Sequence, residues 1–505
     1  MLVLAFPGAE QATGGKMSTE KKGASYENAI VIDDDETGDD DGDSKNRPKA
    51  SRRQDLEMEE TLPSLKKAKR SLKTEGLHAP PKMLQSTGKH ATKQWMLNPS
   101  LSPIKIFATK QDEDLRTKWT EDHWSYSHCW TLREILGMDS DVNEGIDWMV
   151  ISNFVIDFDF LLEELPELLS IPTVLVVYGS KESSEARWKY YATQPDGSCA
   201  VDFLNLDPSA PKRSSSNPLK VQMPWGCHHT KLFLIGYSSG RLRVVVHTAN
   251  LRWNDVHMKT QGAFIQDFLP KTRTSSQTSD FEESLVSYLE TYHFNKARIW
   301  KKGTSERHSL ITQMRQYDFS TAIGVLIPSS PGYHKAVPSK AVGYLKVRQA
   351  IRKYLSAPLK PSSPFKQQKQ NPLVFQFSSI GSLSKRYLND LWSAWDVASV
   401  HRCGPVTKGA DDGANLVRLV YPTVEEIIRS VEGIAGGGSV PGRQKNVNKE
   451  FLQSLYCKWA SSENEEDTLQ KGQNVPHIKT YYQLDDDTES MKWFVLTSHN
   501  LSKGK

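Results

Sequence analysis

Two segments far apart in this 505-residue chain carry the same three chemically useful side chains in the same order. Each has a histidine, a lysine two positions later, and an asparagine 19 or 21 positions after the lysine. The residues are His229, Lys231 and Asn250 in the first segment and His477, Lys479 and Asn500 in the second. One histidine–x–lysine match means little in a long chain, but two copies with a matching asparagine are hard to obtain by chance.

These side chains suit displacement at a phosphodiester. Such a reaction needs a nucleophile, an acid for the leaving oxygen, and cations near the nonbridging oxygens. An imidazole, whose unperturbed pKa is about 6.5, can serve as nucleophile or as proton shuttle. Two lysines and two amides can hold the phosphoryl oxygens without a metal or any other cofactor. The run Asp485–Asp487 could be interpreted as a metal site, but a solvated hairpin turn fits it better.

The spacing also predicts how these side chains are positioned. Residues two apart on a strand point to the same face, so each histidine should lie beside its lysine. Ser238–Gly240 can turn the chain into an antiparallel strand that returns Asn250 beside His229. The second segment turns around Asp487 and Thr488 with arms of matching length. Two such hairpins, facing each other, would complete one site.

The surrounding pattern is typical of an α/β fold. Short apolar runs of strand length alternate with amphipathic segments, which predicts buried strands with helices between them. Strands are predicted at Met149–Ile156, Thr173–Tyr178 and Leu416–Tyr421, and a helix at Phe158–Leu169. Two more helices are predicted from capping boxes, one at Thr131–Glu134 ending near Gly137 and one at Thr423–Glu426 ending at Gly433.

Bulk composition limits the classes of function. The length fits two domains and a tail, and 37% hydrophobic residues with a mean hydropathy of −0.55 indicate an unstructured part beside a real core. A net charge of only +4 means that nucleic-acid contact must come from a local patch. The five cysteines form no C-x-x-C pair, which favours a reducing compartment. No apolar run approaches the roughly 18 residues of a membrane span, so a soluble intracellular protein is predicted.

Residues 1–95 are predicted to be a disordered tail, because an acidic run and basic clusters cannot bury enough apolar surface. Arg52-Arg53 followed by Lys66–Arg70 resembles a bipartite nuclear import signal, and a solvated charge run is the alternative. Ile30–Ile32 before Asp33 resembles a SUMO-interacting segment, for which chance occurrence is the better explanation.

At both motifs the sequence resembles the phospholipase D superfamily, and within it the tyrosyl-DNA phosphodiesterase family. The superfamily's aspartate, five positions after each lysine, is replaced by Gly236 and Leu484, which is typical of that family. Other resembling segments reach from about Asn98 to the C-terminus; they are Pro224–Lys231, Lys259–Gly262, Gln376–Leu383 and Val475–Thr480. The resemblance implies two similar α-β-α sandwich domains related by pseudo-two-fold symmetry, at residues 96–317 and 318–505.

The resemblance also implies catalytic roles. His229 would attack phosphorus and form a covalent phosphohistidine, and His477 would protonate the departing tyrosine and then activate water. The two lysines and the two asparagines would bind the phosphoryl oxygens. The chain ends five residues after Asn500, where the family's second domain continues with further strands and an acidic residue, so that domain is expected to be incomplete. His499 stands where the family has a small residue.

Further residues would support the site or bind DNA. Gln261 would orient the first histidine or its neighbours. Trp225 would stack on a DNA base, with ordinary core packing as the alternative. Ser378, Ser379 and Ser382 would contact the DNA backbone, with a common Ser/Gly loop as the alternative.

Other histidines receive structural interpretations. His228 should face away from the site by strand alternation and is predicted to be structural. His123, His128 and Cys129 match no standard zinc spacing and are predicted to be packing residues.

The expected function is in DNA repair, as hydrolysis of the 3′-phosphotyrosyl bond between DNA and topoisomerase I-derived peptide, and of related 3′ adducts. The expected partners are single-stranded or nicked DNA 3′ ends, for a monomeric protein of the nucleus, with the cytoplasm as a further location. One alternative is a catalytically impaired relative that binds single-stranded DNA. Another is a phospholipase or general nuclease of the superfamily, which the absence of both aspartates argues against.

Overall fold

The computed structural model describes residues 2–5, 102–115, 128–138, 144–180, 188, 200–205, 227–272, 278–292, 298–300, 307–330, 342–355, 371–400, 416–459, 473–485 and 490–502. All of them belong to one unit, formed by Met1–Gly14 with Pro80–Lys505. The predicted import signal, the SUMO-like segment, Trp225, His123 and the turn at Asp487-Thr488 lie outside the described residues.

The strands, numbered along the chain, have the following bounds: β1 Leu2–Ala5, β2 Ile104–Phe107, β3 Cys129–Trp130, β4 Ile146–Ser152, β5 Thr173–Tyr178, β6 Ala200–Asn205, β7 Leu232–Tyr237, β8 Leu242–His247, β9 Gly262–Phe268, β10 Arg298–Trp300, β11 Arg307–Ser309, β12 Val325–Ile327, β13 Leu373–Gln376, β14 Val417–Val420, β15 Tyr456–Cys457, β16 Lys479–Leu484 and β17 Met491–Thr497.

The α-helices are α1 Lys110–Leu115, α2 Leu132–Leu136, α3 Phe158–Glu164, α4 Trp253–His257, α5 Asp280–Thr291, α6 Leu310–Met314, α7 Gly343–Tyr354, α8 Lys385–Trp395, α9 Val397–Val400, α10 Val424–Arg429, α11 Gln444–Val447 and α12 Glu450–Gln453. Short 3₁₀ segments lie at Pro166–Ser170, Phe319–Thr321 and Gly433–Ser439. No helix of the described ranges is long and apolar enough to cross a membrane.

The two large sheets repeat one order of strands. The first runs β3-β2-β9-β8-β7-β4-β5-β6 and the second β12-β1-β17-β16-β13-β14-β15. In each, an antiparallel hairpin (β7-β8 or β16-β17) lies beside an antiparallel third strand (β4 or β13), which begins a parallel run. The repeated order confirms the predicted α/β fold with two similar halves, whereas the domain boundaries stay a prediction.

Strand β1 takes the position in the second sheet that β9 takes in the first. It pairs antiparallel with β12 on one side and with β17 on the other, as β9 does with β2 and β8. The predicted disordered tail over residues 1–95 is therefore wrong at Leu2–Ala5. A four-residue apolar run carries little signal of its own, because its pairing partners lie hundreds of positions further along the chain.

Local sequence signals set most element ends. Both predicted capping boxes form: Thr131 with Glu134 begins α2, and Thr423 with Glu426 begins α10. Gly137 ends α2 at φ 69°, a left-handed conformation that glycine adopts without steric cost. The predicted helix Phe158–Leu169 breaks after Glu164 into the 3₁₀ segment, because proline follows at position 166. Helix α10 ends at Arg429, earlier than the predicted stop at Gly433.

Three apolar layers hold the two sheets and their helices. The first sheet packs on α2 and α3 on one face, and on α5 and α6 on the other. The second sheet packs on α7, α8 and α9. Ile478 and Leu496 of the second half join the core of the first, and a Cβ at Gly262 would lie 2.8 Å and 3.0 Å from their ends. The two halves are thus closely packed where β9 begins, against the start of β16 and the end of β17.

Candidate active site

Both motifs occupy the same place in their hairpins. His229 and Lys231 lie just before β7, His477 lies just before β16, and Lys479 is the first residue of β16. The hairpins close as predicted, with Gly240 at φ 87° in the turn between β7 and β8. Each asparagine follows the returning strand by three residues, and the leucine after it bridges to the loop beyond β4 or β13, as Ile156↔Leu251 and Ile380↔Leu501. The six residues therefore hold equivalent positions in two equivalent frameworks.

The two lysines are more deeply buried than the two histidines. Lys231 and Lys479 are 1% and 0% exposed, whereas His229 and His477 are 8% and 6% exposed. Lys231 Nζ donates to the carbonyl of His229 at 3.4 Å, and Lys479 Nζ donates to the carbonyl of His477. Each ammonium therefore contacts the backbone of its own histidine and adds a buried positive charge near it.

Hydrogen bonds join the two motifs directly. Ser498 Oγ, two residues before Asn500, donates to the carbonyl of His229 at 2.9 Å. In return, the backbone N–H of His477 donates to the carbonyl of Thr260 at 3.0 Å. The side-chain amide of Gln261 contacts the imidazole of His477, with Nε2 at 3.0 Å and Oε1 at 3.2 Å from Nδ1. The sequence-predicted residues of both halves are thus brought into one site.

The environment of His477 favours the neutral imidazole. Burial is the largest cause that lowers its pKa well below the ordinary value, followed by the charges of Lys479, Lys231 and Lys259. A hydrogen bond to the backbone of Thr248 opposes the shift. Because Lys231 belongs to the first motif, the two motifs share one electrostatic environment.

His229 sits against an aromatic ring. Its imidazole is tilted on Phe154 with ring centroids 5.0 Å apart, and Lys231 Nζ lies 5.8 Å from the centre of the same ring. Phe154 lies in the loop after β4, next to Asn153, whose side chain donates to the carbonyl of Ala249 at 3.1 Å. This loop therefore fixes both the first histidine and the segment that leads to Asn250.

The two asparagines are oriented from opposite ends of their amides. Asn500 Oδ1 accepts from Ser378 N at 3.2 Å, Ser378 Oγ at 3.3 Å and Ser379 N at 3.0 Å. Asn250 instead donates through Nδ2 to Asp255 Oδ2 at 3.3 Å. Each arrangement fixes which way the amide faces and leaves N–H capacity on Nδ2 for an oxygen of a bound phosphoryl group.

The remaining predicted residues divide into three groups. Gln261 contacts the ring of His477, whereas the expectation was that it orients His229 or its neighbours. Ser378 and Ser379 hold Asn500, while the exposed Ser382 accepts from Lys449 Nζ at 3.0 Å. Trp225 lies outside the described residues.

His228 has structural partners, as predicted. Its ring lies 3.0 Å from Ser152 Oγ and 3.2 Å from Tyr292 OH, and burial, with the charge of Lys231, lowers its pKa to about 3. In the described ranges no group of three or more His, Cys, Asp or Glu residues could hold a metal ion, so Cys129 and its neighbours form no such site there. Cys129, Cys227 and Cys457 are free thiols.

Sequence reasoning missed a buried charged group beside the site. Asp255 on α4 lies 3.7 Å from His477 Nδ1 and 3.8 Å from Lys259 Nζ, and Lys259 donates to Glu432 at 2.8 Å. All three charged residues are almost fully shielded from solvent. The spacing of four between Asp255, on α4, and Lys259, just after it, is visible in the sequence. The closeness of Asp255 to His477 arises only when the halves meet.

Comparisons with known proteins agree with this geometry. The sequence profile of the family described as tyrosyl-DNA phosphodiesterase matches residues 114–504. Tyrosyl-DNA phosphodiesterase 1 of Arabidopsis thaliana is 28% identical over 382 residues, which are 75% of this chain and 56% of the plant protein. A probable tyrosyl-DNA phosphodiesterase of Caenorhabditis elegans is 30% identical over 353 residues, covering 70% of this chain and 68% of the relative.

The fold has solved counterparts. The crystal structure of a yeast tyrosyl-DNA phosphodiesterase superposes with a TM-score of 0.51 at 16% identity, covering 79% of this chain and 84% of that one. At this identity the likeness speaks for the fold alone. The chain spans a little over half the length of the plant relative and of its Drosophila melanogaster counterpart, which is covered to 58%.

Proposed function

Since the chain belongs to the tyrosyl-DNA phosphodiesterase family, we propose that it hydrolyses 3′-phosphotyrosyl bonds in DNA through a covalent phosphohistidine. The observation that carries this proposal is that Gln261 of the first half contacts the ring of His477 in the second, while the charge of Lys231 acts on the same ring. Through it, two imidazoles, two ammonium groups and two amides serve one phosphoryl group. This is the minimal set for a two-step displacement.

In the first step a ring nitrogen of His229 attacks phosphorus and the bond to the tyrosine oxygen breaks. Protonated His477 gives its proton to that oxygen, so tyrosine leaves as the neutral phenol. In the second step a water molecule attacks phosphorus, its proton passes to His477, and the phosphorus–nitrogen bond breaks. The products are a DNA 3′-phosphate and a tyrosyl peptide, and one water is consumed.

The buried lysines and the oriented asparagines stabilise the negative charge of the phosphoryl oxygens. Lys231 and Lys479 lie in a site with little solvent, where their positive charges act on phosphoryl oxygens more strongly than in water. The amide nitrogens of Asn250 and Asn500 add fixed donors. Such donors are each typically responsible for a factor of about 10²–10³ in rate.

Packing at Gly236 argues against the general phospholipase alternative. A Cβ at this position would lie 2.1 Å from Trp148 Nε1, so the superfamily's aspartate has no room five positions after Lys231. A phospholipase that uses the superfamily's aspartate would need this space. The packing therefore favours a site that depends on histidine, lysine and asparagine alone.

Residues beside Asn500 suit the DNA strand. Ser379 is half-buried and Ser382 is exposed, and Lys449 lies against Ser382, so hydroxyls and an ammonium line the approach. We assign phosphate contacts of the DNA backbone to this edge, and base stacking to Trp225. A topoisomerase-derived peptide as the adduct, a monomeric state and a nuclear location complete the proposal.

The test is a 3′-phosphotyrosyl oligonucleotide incubated with the protein in excess chelator. We expect release of tyrosine, loss of activity of at least about 10³-fold in His229→Ala, and an acid-labile phosphohistidine that accumulates in His477→Ala. His228→Gln is the control for the neighbouring histidine. A folded protein that binds the oligonucleotide in a salt-dependent manner but cleaves nothing would instead support the impaired, DNA-binding relative.

A further inference from the structure

Asp255 lies where the two halves meet and has no role in the reaction steps proposed above. The residue lies on α4 and is 5% exposed. Its Oδ2 accepts from Asn250 Nδ2 at 3.3 Å, and its Oδ1 faces His477 Nδ1 at 3.7 Å and Lys259 Nζ at 3.8 Å. One carboxylate thus touches a phosphate-binding amide and lies beside the ring that must carry a proton.

The backbone around Asp255 is tied to the same ring. Gln261 Nε2 donates to the carbonyl of Asp255 at 2.9 Å, and the same amide contacts His477 Nδ1. Thr248 Oγ1 donates to Gln261 Oε1 at 2.7 Å, which completes the fixation of the amide. The distance between the carboxylate and the imidazole is therefore set by several hydrogen bonds and not by a mobile side chain.

The charges that face His477 are mostly positive. Lys231, Lys479 and Lys259 all disfavour its protonated form. Of the described residues, Asp255 supplies the carboxylate within 4 Å of the ring, while Glu432 lies beyond Lys259 and neutralises that cation. A histidine that must donate a proton among three ammonium groups needs a nearby negative charge.

We propose that Asp255 is a positioning residue that holds the imidazole of His477 and stabilises its protonated form for proton transfer to the leaving oxygen. The inference rests on the proposed phosphodiesterase function. It assigns Nδ1 of His477 to the side of Asp255 and Gln261, and Nε2 to the proton transfer. Asn250 and Lys259 hold the carboxylate in place for this role.

A leaving-group comparison tests the proposal. In single-turnover reactions, Asp255→Asn is expected to slow release of tyrosine from a 3′-phosphotyrosyl oligonucleotide by about 10–100-fold. The same oligonucleotide ester of 4-nitrophenol, a much more acidic phenol, needs little protonation and should lose less than about threefold. Asp485→Asn, the same substitution at a half-exposed aspartate of the second hairpin that pairs with Lys492, serves as control and should leave both rates unchanged.

The pH profile gives a second readout. The first step needs protonated His477, so its rate falls as the pH rises through the pKa of that histidine. Without the carboxylate the protonated form is less favourable, so in Asp255→Asn this fall should move to lower pH by about one unit or more. A merely structural role would lower the rate at every pH alike.

Two further outcomes decide the matter. Equal losses with both leaving groups, as Asn250→Ala should show, would mean that Asp255 acts only through phosphate binding and would overturn the proposal. If Asp255→Asn does not fold, Asp255→Glu, whose carboxylate is displaced by one methylene, must show the same dependence on leaving group in weaker form. A wild-type protein inactive on both substrates would count against the proposed function and not against this role.

Discussion

The amide of Asn500 has its oxygen fully engaged. Three donors from Ser378 and Ser379 converge on Oδ1, so only the nitrogen is available to a substrate. The amide of Asn250 is held from its other end, since Nδ2 donates to the carboxylate of Asp255 at 3.3 Å. At the scale of single residues the site is therefore asymmetric, although its two halves share one framework.

Asn500→Asp tests this orientation. The substitution keeps an oxygen for the three donors but places a second, negative oxygen where the nitrogen meets the phosphoryl group. We expect an intact fold with kcat/KM for the phosphotyrosyl substrate lowered by about 10²-fold or more. Asn500→Ala, which lacks the negative charge, should be less impaired; the reverse order would show that Nδ2 does not face the substrate.

His228 makes stability depend on pH in the acid range. Its pKa is about 3 in the folded chain and about 6.5 when unfolded, so below pH 6.5 the unfolded state binds a proton that the folded state refuses. The free energy of unfolding therefore falls with the pH, by about 2 kcal/mol between pH 6.5 and 5. Urea unfolding of His228→Gln should show a drop between pH 7 and 5 that is smaller than in wild type by about this amount. Parallel pH dependence in the two proteins would contradict the assignment.

At the scale of elements, short-range patterns predicted the hairpins, both capping boxes and the strand Thr173–Tyr178 correctly. Each of these depends on residues within about 20 positions of one another. Asp255 could not be assigned to the site in this way, because its contact with His477 crosses between the halves. Strand β1 was missed for the same physical reason, since its pairing is long-range.

Val3→Pro tests the part played by β1. Val3 pairs with Leu326 on one side and Leu496 on the other, so a proline there removes an N–H from the interior of a sheet. Strand β17 leads directly to Ser498 and Asn500, so we expect lower activity together with a loss of roughly 1 kcal/mol in unfolding free energy for each ladder hydrogen bond broken. Val3→Ala keeps the backbone N–H and is the matched control in urea unfolding. Equal stability of the two variants would mean that β1 does not complete this sheet.

At the scale of the whole molecule, the net charge of +4 is too small to attract DNA by itself, so the distribution of charge matters. Four exposed cations flank the Ser382 edge: Lys385 and Arg386 at the start of α8, and Arg443 and Lys445 around the start of α11. The two elements are held together because Lys449 Nζ donates to Ser382 Oγ at 3.0 Å and to the carbonyl of Leu383 at 2.7 Å. Among the acidic residues described nearby, Glu450 is exposed beside Lys449, and no ion pair is formed by the four cations with any described carboxylate. We call these four residues the basic edge.

The basic edge should bind the phosphates of a DNA strand that leads away from the catalytic site. For single-stranded oligonucleotides, the double variants Lys385→Gln/Arg386→Gln and Arg443→Gln/Lys445→Gln should each reduce the slope of log affinity against log salt by up to about 1.4, since each phosphate contact contributes roughly 0.7. The rate at saturating substrate should stay unchanged, because these residues lie outside the set that touches the reacting phosphoryl group. Arg315→Gln/Arg352→Gln, which removes two exposed cations outside the basic edge, controls for net charge. Two results would contradict this assignment: an equal loss of affinity for long and very short oligonucleotides in the edge variants, or an equal fall in slope in the control. Either would mean that the protein attracts DNA through its overall charge and that no strand follows this edge. A loss confined to long oligonucleotides would instead fix the direction in which the strand leaves the site.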